Sequence, residues 1–280
     1  MKKIVLPTDF SDNAWNAIFT ALKLYADLEC KFYVVHAYEP QALNMIGRKG
    51  QQRLGVIYDS LSEYSKQELD KTLLYLSENH HNPKHTFETI SKSDTLEETI
   101  ADLLLKKDVD LICMGTKGAT GAKKVFMGSN TVKVLKKIKD CGILAVPDDF
   151  NFQRLKLLAF PTDFSKKYEK GQLAPMIELA NLWNTHIQII HVAVEFELND
   201  QQVIHKKILK ERLGDLNVTF NNLDFEIDVE HTLKKYMDSI QIEMMVLIKY
   251  QHSLWEKIIG EAVVKKMTFH TNVPLLVLPE

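Results

Sequence analysis

A five-residue segment that occurs twice constrains this chain more than any other feature. Pro7-Thr8-Asp9-Phe10-Ser11 recurs as Pro161-Thr162-Asp163-Phe164-Ser165. Each copy follows a short apolar run, Ile4-Val5-Leu6 in the first case and Leu157-Leu158-Ala159-Phe160 in the second. Val34-Val35-His36 is echoed by Ile189-Ile190-His191, and Ile143-Leu144-Ala145-Val146-Pro147 by Leu275-Leu276-Val277-Leu278-Pro279. Landmarks repeated in one order imply a tandem duplication. The joint falls near Asp148-Asp149-Phe150-Asn151, which sets domains at 1–149 and 150–280. A chain of 280 residues has the length for two such domains, each able to bury a core of its own.

Within each half, apolar runs alternate with helical periodicity. Ala14, Ala17, Ile18, Ala21, Leu22 and Tyr25 lie on one face of a helix, because 3.6 residues per turn bring positions three and four apart together. Lys31 to Ala37 reads as a strand, Leu61–Ser77 as a polar helix and Thr86–Ile90 as a weaker strand. Asp94-Thr95-Leu96-Glu97 reads as a capping box opening a helix through Leu105. Val109–Met114 is a buried strand, Val132, Leu135 and Ile138 mark a last helix, and Ile143–Pro147 closes the half. The second half follows the same order with a shorter middle, and Pro175 should kink or restart its first helix. Strands alternating with helices build right-handed βαβ units and a parallel sheet covered on both faces. Such sheets take ligands at the carboxyl ends of their strands, where the strand order reverses.

Composition removes several classes. With 45% apolar and 26% charged residues the chain is neither disordered nor low-complexity. A formal net charge of −2 is not that of a general nucleic-acid binder. Cys30, Cys113 and Cys141 form no CxxC pair, which excludes a zinc ribbon or a thioredoxin-type site and leaves small buried hydrophobes in a reducing compartment. The apolar run after Met1-Lys2-Lys3 stops within three residues. No stretch approaches the ~20 apolar residues of a membrane span, so a soluble cytoplasmic protein is expected.

The segment after the fourth strand carries the chemistry. Gly115, Gly118, Gly121 and Gly128 punctuate the loop, and Ser129 opens the following helix. Glycines let backbone N–H groups approach an anion with no Cβ in the way. A helix start adds free N–H groups and a positive dipole end. Ser129 can cap that helix or donate its hydroxyl, and Lys117, Lys123 and Lys124 add positive charge. The alternative is a plain crossover loop with Ser129 as an ordinary N-cap.

Spacing decides between them. Gly115, Gly118, Gly128 and Ser129 fill the pattern G-x2-G-x9-G-[ST]. With Pro7-Thr8-Asp9-Phe10-Ser11 and the closing Ala145-Val146-Pro147, the chain resembles the universal stress protein family, in its ATP-binding branch, over its whole length. The resemblance implies two tandem Rossmann-like α/β domains of the adenine nucleotide alpha hydrolase-like type. Each would be a five-stranded parallel sheet with helices on both faces. It implies a cofactor, ATP, with or without Mg2+. Asp9 would meet the nucleoside, with Pro7 and Thr8 shaping the pocket. Ala37 matches an adenine-contacting backbone position, and Met114 and Gly115 would line the adenine and ribose. Gly118, Gly128, Ser129 and Asn130 would hold the phosphates. Asp9 can equally be a residue satisfied by local N–H groups, since it recurs as Asp163. The family also implies that the two last strands, Ile143–Val146 and Leu275–Leu278, meet within one chain.

The second half departs from the pattern. Aligning Gly260 with Gly128 puts Lys249 at the place of Gly115 and Glu261 at that of Ser129. A carboxylate ~4 Å from a phosphate would cost about 4 kcal/mol at an effective dielectric of ~20, roughly three decades in affinity. One nucleotide per chain is therefore expected. His80, His81 and His85 cluster, but Pro83 breaks any helical ligand spacing, which reads as a polar turn rather than a zinc site. Gly47-Arg48-Lys49-Gly50 has the form of a GxxG nucleic-acid clamp, set down as a loop beside the pocket. His36 and His191 follow buried strands and read as structural. Walker A and GxGxxG motifs are absent, and no catalytic acid/base pair stands out. The resemblance implies a regulatory, stress-response protein with ATP as a conformational ligand and at most slow hydrolysis. The rivals are a slow ATPase or adenylate-handling enzyme and a nucleotide-free interaction scaffold. A homodimer stays open, and neither nucleic acid nor a membrane is expected as a partner.

Overall fold

The structure, a computed structural model, describes residues 1–39, 48–117, 127–193, 197–249 and 272–280, the side chains of 48–58 and 230 excepted. Two compact units result. The first comprises the chain up to the glycine loop together with Gly128–Cys141, and Gly142–Glu280 belongs to the second.

In the first unit, β1 (Lys2–Pro7), α1 (Asp12–Leu24), β2 (Cys30–Ala37), α2 (Arg48–Asn79), β3 (His85–Lys92), α3 (Leu96–Lys107), β4 (Leu111–Gly115) and α4 (Ser129–Lys137) follow one another. The strands lie in the order β3-β2-β1-β4, all parallel. The order therefore reverses between β1 and β4. Ile4, Val5 and Leu6 of β1 are fully buried, each contributing about 1.5–3 kcal/mol by leaving water. Helix α1 starts where Ser11 accepts a hydrogen bond from the Ala14 N–H. The helix read over Leu61–Ser77 is longer, running Arg48–Asn79. The cap read at Asp94 moves by one residue. Thr95 is the N-cap of α3 and accepts from the Glu98 N–H, while Asp94 Oδ1 accepts from the Thr95 N–H. Both Asp94 and Thr95 have an acid three residues on, so the spacing alone could not choose between them.

The second unit contains β5 (Gly142–Val146), β6 (Leu157–Pro161), α5 (Lys170–Trp183), β7 (His186–Ala193), α6 (Asp200–Leu213), β8 (Val218–Asp224), α7 (Val229–Ile240), β9 (Met244–Ile248) and β10 (Leu275–Leu278). Strands β8-β7-β6-β9-β10 run parallel in the order found in the first unit. On the far side of β10 lies β5, antiparallel, with Ala145 opposite Leu275, Leu144 opposite Leu276 and Ile143 opposite Val277. The last strands of the two repeats thus meet, and all residues of both are buried. Helix α5 does not restart at Pro175. It begins at Lys170 and runs through the proline.

Candidate functional site

The duplicated Pro-Thr-Asp-Phe-Ser segment turns the same way in both copies, leading directly into α1 in the first and reaching α5 only at Lys170 in the second. Thr8 Oγ1 accepts from the Phe10 N–H at 2.9 Å, and Thr162 Oγ1 from the Phe164 N–H at 3.0 Å. Asp9 Oδ1 accepts from the Ser11 N–H at 3.1 Å and from its hydroxyl at 2.5 Å. Asp163 Oδ1 accepts from the Ser165 N–H at 2.9 Å. Phe10 and Phe164 sit at positive φ, 64° and 55°, a conformation that costs a non-glycine residue about 1 kcal/mol or more. The short Thr and Asp side chains hold the backbone there. The two repeat motifs also touch, since the Phe10 ring lies 4.6 Å from that of His36, and Phe164 5.2 Å from His191.

Beyond this turn the first unit opens a cavity of about 340 Å³ at the carboxyl ends of β1, β2 and β4. It is lined by Pro7, Thr8 and Asp9 from β1 and its turn, Ala37 from β2, Met114 and Gly115 from β4, and Gly128, Ser129 and Asn130 at the start of α4. Gly118 lies outside the described residues, as do Lys123 and Lys124. The volume falls within the ~300–1,000 Å³ of small-molecule sites.

Ala14, His36, Leu96 and Thr131 of the wall, and Asn13 outside its lining, are not among the site residues read from the sequence. Asn13 is 6% exposed, and its Oδ1 accepts from the Lys117 N–H at 2.7 Å. Thr131, also buried, donates its hydroxyl to the Gly115 carbonyl at 2.9 Å. Ala14, Leu96, His36 and Lys117 complete the lining. The Gly128 N–H donates to the Thr116 carbonyl, so both ends of the glycine loop are tied to one place. Gly115 has a packing reason of its own. A Cβ there would lie 2.5 Å from Asn13 Oδ1 and 3.0 Å from the Asn13 carbonyl.

Ser129 is not the N-cap. That position is Gly128, which has no side chain to offer, and Ser129 is the first helical residue. Helices α1, α3, α6 and α7 each carry a side-chain cap, whereas α4 has neither a side-chain cap bond nor an acidic residue in its first turn. Ser129 and Asn130 are exposed there. Uncapped N–H groups and a positive dipole end facing a cavity suit an anion. His36 lines the same cavity. Burial pushes its imidazole below the ordinary value, against the pull of the nearby Asp9 carboxylate.

In the second unit the same turn is engaged by its own chain. The Thr162, Asp163 and Phe164 carbonyls accept from His191 Nδ1, Gln202 Nε2 and His205 Nδ1 at 3.0, 2.8 and 2.9 Å. Gln202 and His205 come from α6, which is 14 residues long where α2 has 32. The strand registers, Leu111 beside Ile4 and Met244 beside Leu158, put Ile248 rather than Lys249 at the position of Gly115, one residue off the alignment read from the sequence, and Lys249 reaches Glu280 at 3.6 Å with its side chain 12% exposed. His252, Gly260 and Glu261 lie outside the described residues.

The histidine cluster is a hydrogen-bonded pair. His85 Nε2 lies 3.1 Å from the Tyr25 carbonyl, and its Nδ1 lies 2.7 Å from His80 Nε2. A carbonyl only accepts, so His85 is protonated at Nε2 and its Nδ1 accepts from His80. Among the described residues, no group of three or more His, Cys, Asp or Glu could hold a metal ion, and no helix is long and apolar enough to cross a membrane.

Comparisons with known proteins agree in direction. Residues 1–147 match the universal stress protein family. A universal stress protein of Methanocaldococcus jannaschii is 27% identical over 145 residues, which is 52% of this chain and 81% of that protein. A universal stress protein from Archaeoglobus fulgidus superposes with a TM-score of 0.68 at 15% identity, covering 99% of this chain and 98% of that one. A functionally unknown protein from Pseudomonas aeruginosa PAO1 gives 0.60 at 11% identity, covering 100% and 92%. At these identities the structural matches speak for the fold, and they do so over the full tandem length.

Proposed function

This chain belongs to the universal stress protein family, and from that premise we propose that it binds one ATP per chain in the cavity of the first unit. The observation that carries the reading is convergence. Nine residues from four chain segments, all implied by the family resemblance, line one cavity of about 340 Å³. The residues present fit the ligand. Asp9, Ala37 and Met114 form the inner wall toward β1, β2 and β4, where a nucleoside would sit. Lys117, Ser129, Asn130 and the uncapped first turn of α4 offer positive charge and N–H donors to the phosphates. Mg2+ would ride on the phosphates rather than on a protein cage.

The chain's own groups bind and orient. Thr131 and Asn13 hold the two ends of the glycine loop to β4 and α1. Ionisable groups on the described wall are Asp9, His36 and Lys117. Asp9 Oδ1 is committed to Ser11 and His36 Nδ1 to Ser65. That supports a ligand role for ATP over rapid turnover, with occupancy shifting a conformational population. The second unit, whose turn carbonyls are taken and whose β9 ends in Ile248 where β4 ends in Gly115, is the non-binding partner. Isothermal titration of the full chain with ATP tests this, with a stoichiometry near one expected. A stoichiometry of two refutes the asymmetry, and no heat of binding alongside no co-purified nucleotide by mass spectrometry refutes the ligand.

A further inference from the structure

His36 is the one imidazole on the described wall of the cavity, and its surroundings fix it in place. Its Nδ1 lies 2.8 Å from Ser65 Oγ on α2, and Ser65 Oγ lies 2.7 Å from Ser91 Oγ on β3. Ser65 is fully buried. The ring is covered by Phe10 at 4.6 Å and flanked by Tyr38 at 6.1 Å. Three elements therefore hold the imidazole, and its freedom to move away from a new charge is small.

We propose that His36 is a proton-linked sensor of polyanion binding: it takes up a proton as a polyphosphate enters the cavity, so that mild acid strengthens the complex. The inference rests on the nucleotide reading above and names its regulation.

The groups facing His36 among the described residues are few. From the turn after β1 comes the Asp9 carboxylate, which favours the charged form. From α2 come the Ser65 hydroxyl and, through Phe10, the Tyr64 ring. From β3 comes Ser91, while its neighbour Lys92 is directed to Asp102. Tyr38 lies on the segment after β2. Against these, burial keeps the imidazole neutral. An added polyanion tips that balance, because opposite charges at short range favour the imidazolium. The coupling is reciprocal, so a ligand that raises the proton affinity must itself bind more tightly to the protonated protein. A rise of one pKa unit corresponds to about a tenfold gain in affinity across the transition.

The test titrates the full chain with ATP from pH 8 to pH 5.5, beside His36→Gln and with adenosine as the phosphate-free probe. Protonation of ATP itself cancels in the ratio of the two proteins' affinities. That ratio should rise about tenfold in favour of the wild type as pH falls, with proton uptake shown by two buffers of different ionisation enthalpy. Adenosine should show no such rise. A second readout needs no substitution. The His36 resonance, identified by its contact to the Phe10 ring, should titrate about one unit higher with ATP bound. ATP binding with a constant ratio and an unmoved His36 resonance overturns this inference alone. Absence of ATP binding at every pH overturns the nucleotide reading with it.

Discussion

Gly115→Ala is the sharpest perturbation of this fold, because the added atom has a known neighbour. The new Cβ would lie 2.5 Å from Asn13 Oδ1, 2.7 Å from Asn13 Cγ and 3.0 Å from the Asn13 carbonyl. Contacts this short force the Asn13 side chain aside and press on the first turn of α1. Overpacking of this kind costs about 1–3 kcal/mol. Displacing Asn13 also breaks its hydrogen bond from the Lys117 N–H, which adds about 1 kcal/mol. A loss of about 2–4 kcal/mol in the first unit follows. At roughly 2–4 °C per kcal/mol for a unit of this size, its melting temperature should drop by about 4–16 °C. Trp15 fluorescence in a Trp183→Phe, Trp255→Phe background would follow the first unit alone. The mechanism is separable by a double-mutant cycle with Asn13→Ala. There the side-chain clash and the hydrogen bond are already gone, so Gly115→Ala should cost at least 1 kcal/mol less than in the parent. A cost below about 0.5 kcal/mol in the parent, or equal costs in both backgrounds, would refute the reasoning.

Other outcomes follow from the same geometry. Ser129→Glu places a carboxylate at the first helical residue of α4 and should weaken ATP binding by about three decades without unfolding the unit, read by titration and circular dichroism. Burial holds His80 and His85 below the ordinary histidine value. The folded chain therefore binds fewer protons than the unfolded one below about pH 6.5, and stability must fall as pH drops through that region. Denaturant midpoints at pH 7.5 and 5.5 should show that loss, with a smaller difference in His85→Gln, and an unchanged slope would exclude the pair as its source. Cys30, Cys113 and Cys141 are all buried, with the Cys141 thiol pushed up to about 12. None should react with a thiol reagent at pH 8 until the chain unfolds, so labelling of the native chain at the rate of a free thiol would contradict the packing.

The duplicated turn explains why so much of the architecture was legible in the residues. Thr, Asp and Ser each make a local hydrogen bond there, so the motif announces its own conformation. Strand and helix periodicities did the same for β1, α1, β2 and α4. Contacts made across long sequence distance were not legible. Asn13 reaches Lys117 over 104 positions and Thr131 reaches back to Gly115 over 16. No spacing rule connects such pairs, and a lone Asn or Thr on a helix looks like a cap or a solvated face. The alternative of Ser129 as an ordinary N-cap was open in the sequence because Ser is a stronger capping residue than Gly, while the backbone turns at Gly128. Pro175 suggested a kink or a restart, and α5 does not restart there but begins five residues earlier.

The antiparallel seating of β5 against β10 has a consequence for how the chain is made. Ala145 leaves the ribosome 130 positions ahead of its partner Leu275. At ~5–20 residues per second that is a wait of roughly 6–26 s. Throughout it the edge of a wholly apolar strand, Gly142–Val146, has no ladder partner on the β10 side, and such edges invite pairing with other chains. A stalled or truncated nascent chain would therefore carry a sticky end that the finished protein conceals, and its solubility in the cell would depend on holdase chaperones until the final strand arrives.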